Sequence, residues 1–297
     1  MKGLMKNVSL TGALFVIPYI LLALLFMIYP ILRGIYNSFF DFRFSGNEFV
    51  AFDNYRVVFT EPVYLTSIIN TLLIVAVVIP ALIFFGILIS GSIFDKSKMY
   101  MSVIRSSFYL PVISSMVVMA IIYKFMLDAQ TGIARYFFNL AGMEPINILG
   151  DSTLAMSVII FLLFTMKLGQ CIVLFVASML GIPNDLIDAL KIDGGSRFHL
   201  FRYILIPLTQ PIVLFVFITQ TAALLQAYPV IKLLTNGGPN DETTTMIFLL
   251  QVEAFSRGNF GSASALGVIL FLITLALISL RFITMAFKKG GNFLESH

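Results

Sequence analysis

Residues 63–94 read VYLTSIINTLLIVAVVIPALIFFGILISGSIF, a stretch that contains no Asp, Glu, Lys or Arg. A helix needs about 20 predominantly apolar residues to cross a bilayer, so this stretch is long enough to span one. The strands of a membrane β-barrel are shorter and alternate apolar with polar residues, which this run does not do. The stretch therefore predicts a transmembrane α-helix.

The composition of the whole chain agrees with a membrane protein. Hydrophobic residues make up 59% of its 297 positions and charged residues 11%, whereas soluble domains carry about 25% charged residues. Five further apolar runs predict spans at residues 10–36, 106–123, 153–180, 203–231 and 262–287. The first run is too long for a cleavable signal peptide, so we expect a retained helix. The predicted fold is all-α, a polytopic membrane protein with six transmembrane helices.

Several other classes of protein are excluded by the rarer residues. Cys171 is the single cysteine, so no disulfide can form within the chain. His199 and His297 are far apart in sequence, which leaves no His/Cys metal cluster. The pI of about 9.1 reflects basic membrane loops rather than nucleic-acid binding, because no soluble basic patch is present.

The distribution of positive charge predicts the orientation. If both ends of the chain are cytoplasmic, the inner segments carry ten Lys and Arg residues and the outer segments carry six. Cytoplasmic loops carry the excess of Lys and Arg, so we expect both termini inside. The chain is then divided into a cytoplasmic N-terminus (1–9), a transmembrane domain (10–288) and a cytoplasmic tail (289–297). Within the domain, residues 181–203 form a cytoplasmic loop and residues 232–260 an outer loop.

The cytoplasmic loop has the pattern of a short helix, a turn and a second helix. Pro183 suits the first turn of a helix, and Asp185 and Asp188 lie where the helix dipole favours negative charge. The pair Gly194-Gly195 permits a sharp reversal, and Ser196 can cap the next helix. One helical face carries residues 182, 186, 189, 190 and 193, which are apolar apart from the last. Either the hairpin seats in a groove of a soluble partner or its helix lies on the membrane surface.

The same loop resembles the EAA motif of permease subunits in binding-protein-dependent ABC importers. That motif reads Glu-Ala-Ala, three residues, Gly, nine residues, Ile, any residue and Leu-Pro. Here Asp188-Ala189-Leu190, Gly194 and the segment Ile204 to Pro207 keep its spacing. Asp188 replaces the Glu, Leu190 the second Ala and Ile206 the Leu.

Other stretches are similar to the sugar-type permeases of this family, such as subunits of the maltose and glycerol-phosphate importers. Together they cover roughly residues 10–288. The matching segments are Phe49–Tyr55, Asn70-Thr71, Leu110-Pro111, Leu234–Pro239, Thr243–Thr245, Ala254-Phe255 and Gly261–Ala265.

The resemblance implies a type I ABC importer permease fold and a multi-pass protein of a prokaryotic plasma (inner) membrane. Its implied partners are a second homologous permease, two ATPase subunits and an extracytoplasmic solute-binding protein. The cytoplasmic loop would dock into an ATPase subunit and drive alternating access through residues Asp188, Ala189, Leu190, Gly194, Ile204 and Pro207. The chain lacks a Gly-x-x-x-x-Gly-Lys-Ser/Thr phosphate loop, so we expect no enzyme activity and no cofactor of its own. ATP and Mg would be used by the ATPase subunits.

Polar residues within the spans are candidates for the solute path. They are Lys167 and Gln170 in the fourth span, and Gln220, Gln226 and Tyr228 in or near the fifth. Amide and aromatic groups suit sugar hydroxyls and CH faces, although polar residues in spans also join helices. Three interpretations of Lys167 stay open: its side chain faces the solute, pairs with a polar neighbour, or snorkels to the membrane interface.

The resemblance implies a sugar, oligosaccharide or related polyol or sugar phosphate as cargo. Two alternatives stay open: an ABC permease for a solute that is not a sugar, and a secondary transporter driven by an ion gradient. The spans show no evident mid-membrane Asp or Glu of the kind that an ion-coupled transporter needs.

Overall fold

The computed structural model describes residues 2–43 and 46–294, with side chains for residues 12, 14–42 and 48–283. The outer parts of the two predicted cytoplasmic tails, Met1 and residues 295–297, lie outside the described residues. His297 is among them. The chain divides into two compact units. One contains residues 1–64 and 249–271, and the other contains residues 65–248 and 272–297.

The amino-terminal part of the first unit is a long helix followed by a small hairpin. Its elements are α1 (Lys2–Ala23), a π-helical segment (Leu24–Ile28), α2 (Tyr29–Asn37), β1 (Phe40–Arg43), β2 (Gly46–Phe49) and α3 (Asp53–Thr60). The strands pair antiparallel, with Phe40 opposite Phe49. Asn54 holds this region together, because its Nδ2 donates to the carbonyls of Ser38 (2.9 Å) and Phe40 (3.0 Å). Its Oδ1 accepts from Ser262 Oγ at 3.3 Å.

The first span covers Leu14–Asn37, and none of its most apolar window is buried against protein. Lipid tails solvate such side chains as well as protein does, so a helix with an apolar surface on all sides is stable in a bilayer.

The remaining helices alternate long spans with short connecting elements. They are α4 (Pro62–Ile93), α5 (Lys98–Ile113), α6 (Met116–Met126), α7 (Ile133–Leu140), a 3₁₀ turn (Ile148–Gly150), α8 (Ser152–Leu180), α9 (Asn184–Ile192), α10 (Arg197–His199), a π segment (Leu200–Leu205), α11 (Ile206–Leu208), α12 (Gln210–Leu225), α13 (Tyr228–Leu234), α14 (Met246–Gln251), a π segment (Val252–Ser256) and α15 (Phe260–Leu294).

Helix α8 is the centre of the second unit, and α5 packs closely against it. A Cβ atom added to Gly169 would lie 2.1 Å from the carbonyl oxygen of Phe108, well inside van der Waals contact. Only glycine therefore lets the two backbones approach this closely, as small residues do at many membrane helix interfaces.

Four helices are long and apolar enough to cross a membrane, and two bent pairs bring the number to six within the described residues. The prediction of six spans agrees with this count, but two of them are not straight helices. Helices α5 and α6 meet at 92°, and the segment 197–208 meets α12 at 60°. The fifth span also ends at Leu225, before the predicted boundary at residue 231, and α13 begins at Tyr228.

Each bend has a local cause. Ser114 is extended and Ser115 Oγ accepts from the N–H of Val117, so α6 starts afresh with its own cap. At the second bend Pro211 has no N–H to continue the helix. Thr209 Oγ1 also donates to the Leu205 carbonyl at 2.8 Å, which accepts from the Thr209 N–H at 3.1 Å as well.

Candidate coupling loop and solute path

Helix α9 forms the first half of the predicted cytoplasmic hairpin. Pro183 is its N-cap residue, so it stands just before the first turn rather than inside it. Asp185 lies in the first turn and Lys191 in the last, as the helix dipole favours. Asp188 Oδ1 accepts from Lys191 Nζ at 2.8 Å, and both side chains are more than 60% exposed.

The buried face of α9 differs from the predicted one. Ile182 and Ile187 are buried and Leu190 is half-buried, whereas Leu186 and Ala189 are exposed. Ile187 and Leu190 are three residues apart, so they share one side of the helix. The predicted face thus contains Ile182 and Leu190, which are buried or half-buried, but it missed Ile187 and included the exposed Leu186 and Ala189.

The two glycines of the loop have different tasks. Gly195 N–H donates to the Leu190 carbonyl at 2.8 Å and Gly194 N–H to the Lys191 carbonyl at 3.1 Å, which together form a Schellman motif. Gly194 has φ +73°, a left-handed conformation that glycine adopts without cost. Gly195 is needed for lack of space, because a Cβ atom added there would lie 2.5 Å from the Leu190 side chain and 2.8 Å from the Leu190 carbonyl.

The second half of the hairpin is closed by a capping box. Ser196 Oγ accepts from the N–H of His199, and His199 Nδ1 accepts from the N–H of Ser196 at 3.1 Å. Arg197 then joins the loop to the end of α4, since its Nη2 donates to Asp95 Oδ1 and to the Ser92 carbonyl, each at 2.8 Å. His199 is therefore a capping residue of the hairpin.

The hairpin exposes apolar side chains that its own unit does not cover. Ile192 is 86% exposed, and Phe198 and Tyr203 are about as open. Exposed apolar groups clustered on a small charged loop are typical of a surface that meets another protein or a membrane.

The later residues of the EAA-like segment run into the fifth span. Ile204 and Leu205 belong to the π segment, where Leu205 is 1% exposed, and Pro207 is the second residue of α11. Pro207 lies inside the helical segment 197–208, where it has no N–H to donate to the preceding turn.

Three of the predicted path residues lie near the middle of their spans. Gln220 Nε2 donates to Gln170 Oε1 at 3.3 Å, which joins α12 to α8. Lys167 lies one turn before Gln170 and shares its face of α8. Gln220 is 1% exposed, and its Oε1 accepts no hydrogen bond from the described residues.

The other two predicted path residues are elsewhere. Gln226 is the exposed C-cap residue of α12, about 9 Å further along the helix than Gln220 at 1.5 Å per residue. Tyr228 begins α13 and stacks on Phe248 with ring centroids 6.1 Å apart. These residues mark the end of the fifth span and are not part of the Gln170–Gln220 pair.

Asn70 and Thr71 make long-range contacts, and they were quoted from the sequence only as part of the family resemblance. Asn70 Nδ2 donates to the carbonyls of Glu242 (2.7 Å) and Thr244 (2.9 Å), and the N–H of Met246 donates to Thr71 Oγ1 at 2.9 Å. The segment Thr235–Thr245 is thus tied to α4. The Asn-Thr pair inside an apolar run was the available signal, because a buried amide needs partners.

The predicted outer loop, residues 232–260, also contains regular structure. An apolar helix covers Met246–Ser256, and Glu253 within it is 2% exposed. Its carboxylate forms an ion pair with Arg257 and accepts from the Tyr64 hydroxyl. Among the described residues, no group of three or more His, Cys, Asp or Glu side chains is placed to hold a metal ion.

Comparison with known proteins gives the fold and the family. The fold matches a permease chain in the crystal structure of a bacterial alginate ABC transporter in complex with an alginate pentasaccharide-bound periplasmic protein. The TM-score is 0.81, with 19% identity over 94% of each chain. The chain is 27% identical to LacF, the lactose transport system permease protein of Rhizobium radiobacter, over 97% of this chain and 98% of LacF.

No family model matches the sequence. The probable ABC transporter permease protein PH1215 of Pyrococcus horikoshii is 30% identical over 270 residues, which cover 89% of this chain and 92% of PH1215. With this identity over almost the full length of both proteins, the chain belongs to the family of ABC transporter permeases.

Proposed function

We propose that this permease is the channel-forming subunit of an ATP-driven importer for a sugar, an oligosaccharide or a related polyol or sugar phosphate. The observation that carries the proposal is the structure of the hairpin 181–203. Hydrogen bonds within the hairpin hold its turn, and it exposes apolar side chains that the rest of its unit does not cover. The sugar-uptake relatives support the choice of cargo.

The hairpin has the physical properties of a lever. Its Schellman motif and capping box satisfy the backbone groups at the turn, so the two short helices move as one piece. Arg197 connects it to α4, and the chain continues directly into the bent fifth span. A push on the exposed face around Ile192 would therefore reach the spans rather than be absorbed in the loop.

The motor in this proposal is a pair of ATPase subunits in the cytoplasm. ATP and Mg bind there, and closure of that pair would press on the hairpins of this chain and of a second homologous permease. The spans would then alternate between inward-facing and outward-facing states around a solute. A solute-binding protein on the outer side would deliver the cargo, as the periplasmic protein in the alginate transporter structure suggests by analogy. Both termini of the chain would be cytoplasmic.

Site-specific cross-linking tests the central contact. Cys171 is buried, so an Asp188→Cys variant carries a single exposed thiol. In inside-out vesicles that contain the full complex, we expect a short thiol-to-amine cross-linker to join the thiol at position 188 to a lysine of an ATPase subunit. If ATP binding moves the hairpin relative to the ATPase subunit, the yield of cross-linked product should fall when ATP is trapped in the ATPase subunits. Tyr136→Cys in α7, which is exposed and predicted to face outside, is the matched control.

Transport by the purified proteins tests the energy source. In proteoliposomes, the two permeases, the ATPase pair and the binding protein should accumulate labelled sugar only when ATP is supplied on the ATPase side. Concentrative uptake by the permeases alone, driven by a proton or sodium gradient, would instead identify a secondary transporter and reject the proposal.

A further inference from the structure

Lys167 is the one charged residue in helix α8 and stands near the middle of its 29 residues. Its side chain is half-buried, and within the described part of the chain it has no hydrogen bond or ion pair. A cation at this depth is costly unless it faces water or an anion, and such residues usually mark a substrate or ion pathway.

The surroundings of Lys167 offer hydrogen bonds but no negative charge. Gln170 and Cys171 lie one turn along α8, on the same face, and Gln220 reaches Gln170 from α12. Every Asp and Glu described in the unit 65–248 with 272–297 lies outside the membrane-spanning helices. These residues are Asp95, Asp128, Glu144, Asp151, Asp185, Asp188, Asp193, Asp241 and Glu242.

The neighbouring amides have unused hydrogen-bonding capacity. Gln220 Oε1 and the hydroxyl of Thr221 are buried and have no partner among the described residues. A solute that reaches this face of α8 would meet the Lys167 ammonium and, about one turn along the helix, the hydrogen-bonded amides of Gln170 and Gln220. This combination matches a sugar that carries both hydroxyls and an ionised group, because charge-assisted hydrogen bonds select the anion and the amides accommodate the hydroxyls.

We infer that Lys167 is an anion subsite in the solute path, and that the cargo is an acidic sugar, with a carboxylate or a phosphate ester. The inference rests on the proposed function, since it requires the cargo to pass α8. The ammonium pairs with the anion as the cargo enters the membrane region. It thus compensates the cost of removing that anion from water, which a neutral amide does less well.

The test uses the reconstituted complex with its binding protein and matched pairs of labelled sugars. The pairs are galactobiose with digalacturonate, and glucose with glucose 6-phosphate. We expect ATP-dependent uptake of an acidic member and little uptake of its neutral partner. Lys167→Met should lower the acidic uptake by about 10- to 100-fold, the range for losing a hydrogen bond to a charged group. Lys167→Arg should retain most of it.

Two controls separate the possible outcomes. Lys98→Met makes the same chemical change at an exposed helix start and should leave uptake unaltered. Size-exclusion chromatography of each variant complex shows whether assembly is intact. The inference would be overturned, and the proposed function left standing, if the wild type took up a neutral sugar as fast as its acidic partner and Lys167→Met left both rates unchanged. The same holds if Lys167→Met slows neutral and acidic sugars alike, because loss of an anion subsite would slow only the acidic sugar. Absence of ATP-dependent uptake of any sugar by the wild type would reject the proposed function itself.

Discussion

The two loops that flank the fifth span are built in opposite ways. The hairpin 181–203 is held almost entirely by hydrogen bonds between residues within five positions of each other, with Arg197 as its long-range anchor. The outer segment Thr235–Thr245 is instead fixed to α4 by Asn70 and Thr71, more than 170 residues away in sequence. Thr243, Thr244 and Thr245 are buried, whereas most of the hairpin is exposed.

This difference indicates different mechanical roles. A loop that is rigid in itself but weakly attached can move as a body when a partner pushes it. A loop whose backbone carbonyls depend on buried side chains of another helix must move with that helix or lose those hydrogen bonds. We therefore expect damage to the outer segment to reduce stability, and damage to the hairpin to reduce coupling while the fold survives.

The largest expected effect is that of Asn70→Leu. The substitution leaves the carbonyls of Glu242 and Thr244 without their donor in a buried site, which should lower the free energy of unfolding by about 2–4 kcal/mol. Thermal unfolding of the detergent-solubilised complex measures this loss. Asn139→Leu, at an exposed position in α7, should change stability by less than about 0.5 kcal/mol. Equal stability of the two variants would show that the outer segment is not held in this way.

Gly195→Ala should have an intermediate effect, and mainly on coupling. Its Cβ would clash with the side chain and carbonyl of Leu190, so the Schellman motif must open and the hairpin lose its shape. We expect cargo-stimulated ATP hydrolysis to fall about fivefold or more, the result of a 1–2 kcal/mol change at the turn. Gly181→Ala is the control, since its Cβ would meet only ordinary contacts at 3.4 Å. A Gly195→Ala complex that unfolds at a lower temperature but keeps normal cargo-stimulated ATP hydrolysis would contradict the expectation that the hairpin serves coupling rather than stability.

The smallest effect on stability is expected for Asp188→Asn. An exposed ion pair within a helix contributes about 0.5 kcal/mol or less, so unfolding should barely change. A clear loss of transport would then come from the contact with a partner.

The double variant Asp188→Lys with Lys191→Asp keeps an intrahelical pair but moves the charges. Restored transport in this variant would mean that the pair matters only within α9. Continued loss would mean that the carboxylate at position 188 is needed at the interface.

Much of this architecture was predictable because lipid imposes a simple rule on sequence. Uncharged stretches of the required length had to be helices, and the stretch 63–94 lies almost entirely within α4. The hairpin was also predictable, since Gly194-Gly195 and Ser196 are local signals for a turn and a cap.

The breaks at Ser114 and Thr209 were not predictable in the same way. Hydropathy does not distinguish a straight span from two helices of equal apolarity, and the prolines near these positions do not state the angle of a bend. The burial of side chains on α9 and the role of Asn70 depend on which helices pack against each other. A single sequence does not give this information. The path residues were chosen by polarity alone, so Gln226 and Tyr228 were grouped with a pair of amides that lies deeper in the span.

The bare surface of the first span has a consequence for how the protein is made. Within the described part of the chain, no residue in the most apolar window of Leu14–Asn37 is buried, so this segment can leave the insertion machinery for lipid as soon as it is synthesised. Helix α8 carries Lys167 and packs half of its own window against other helices, so it gains from waiting for α12, which emerges later. Biogenesis of the chain would then proceed in two stages, with early insertion of the first span and later assembly of α8 with α12.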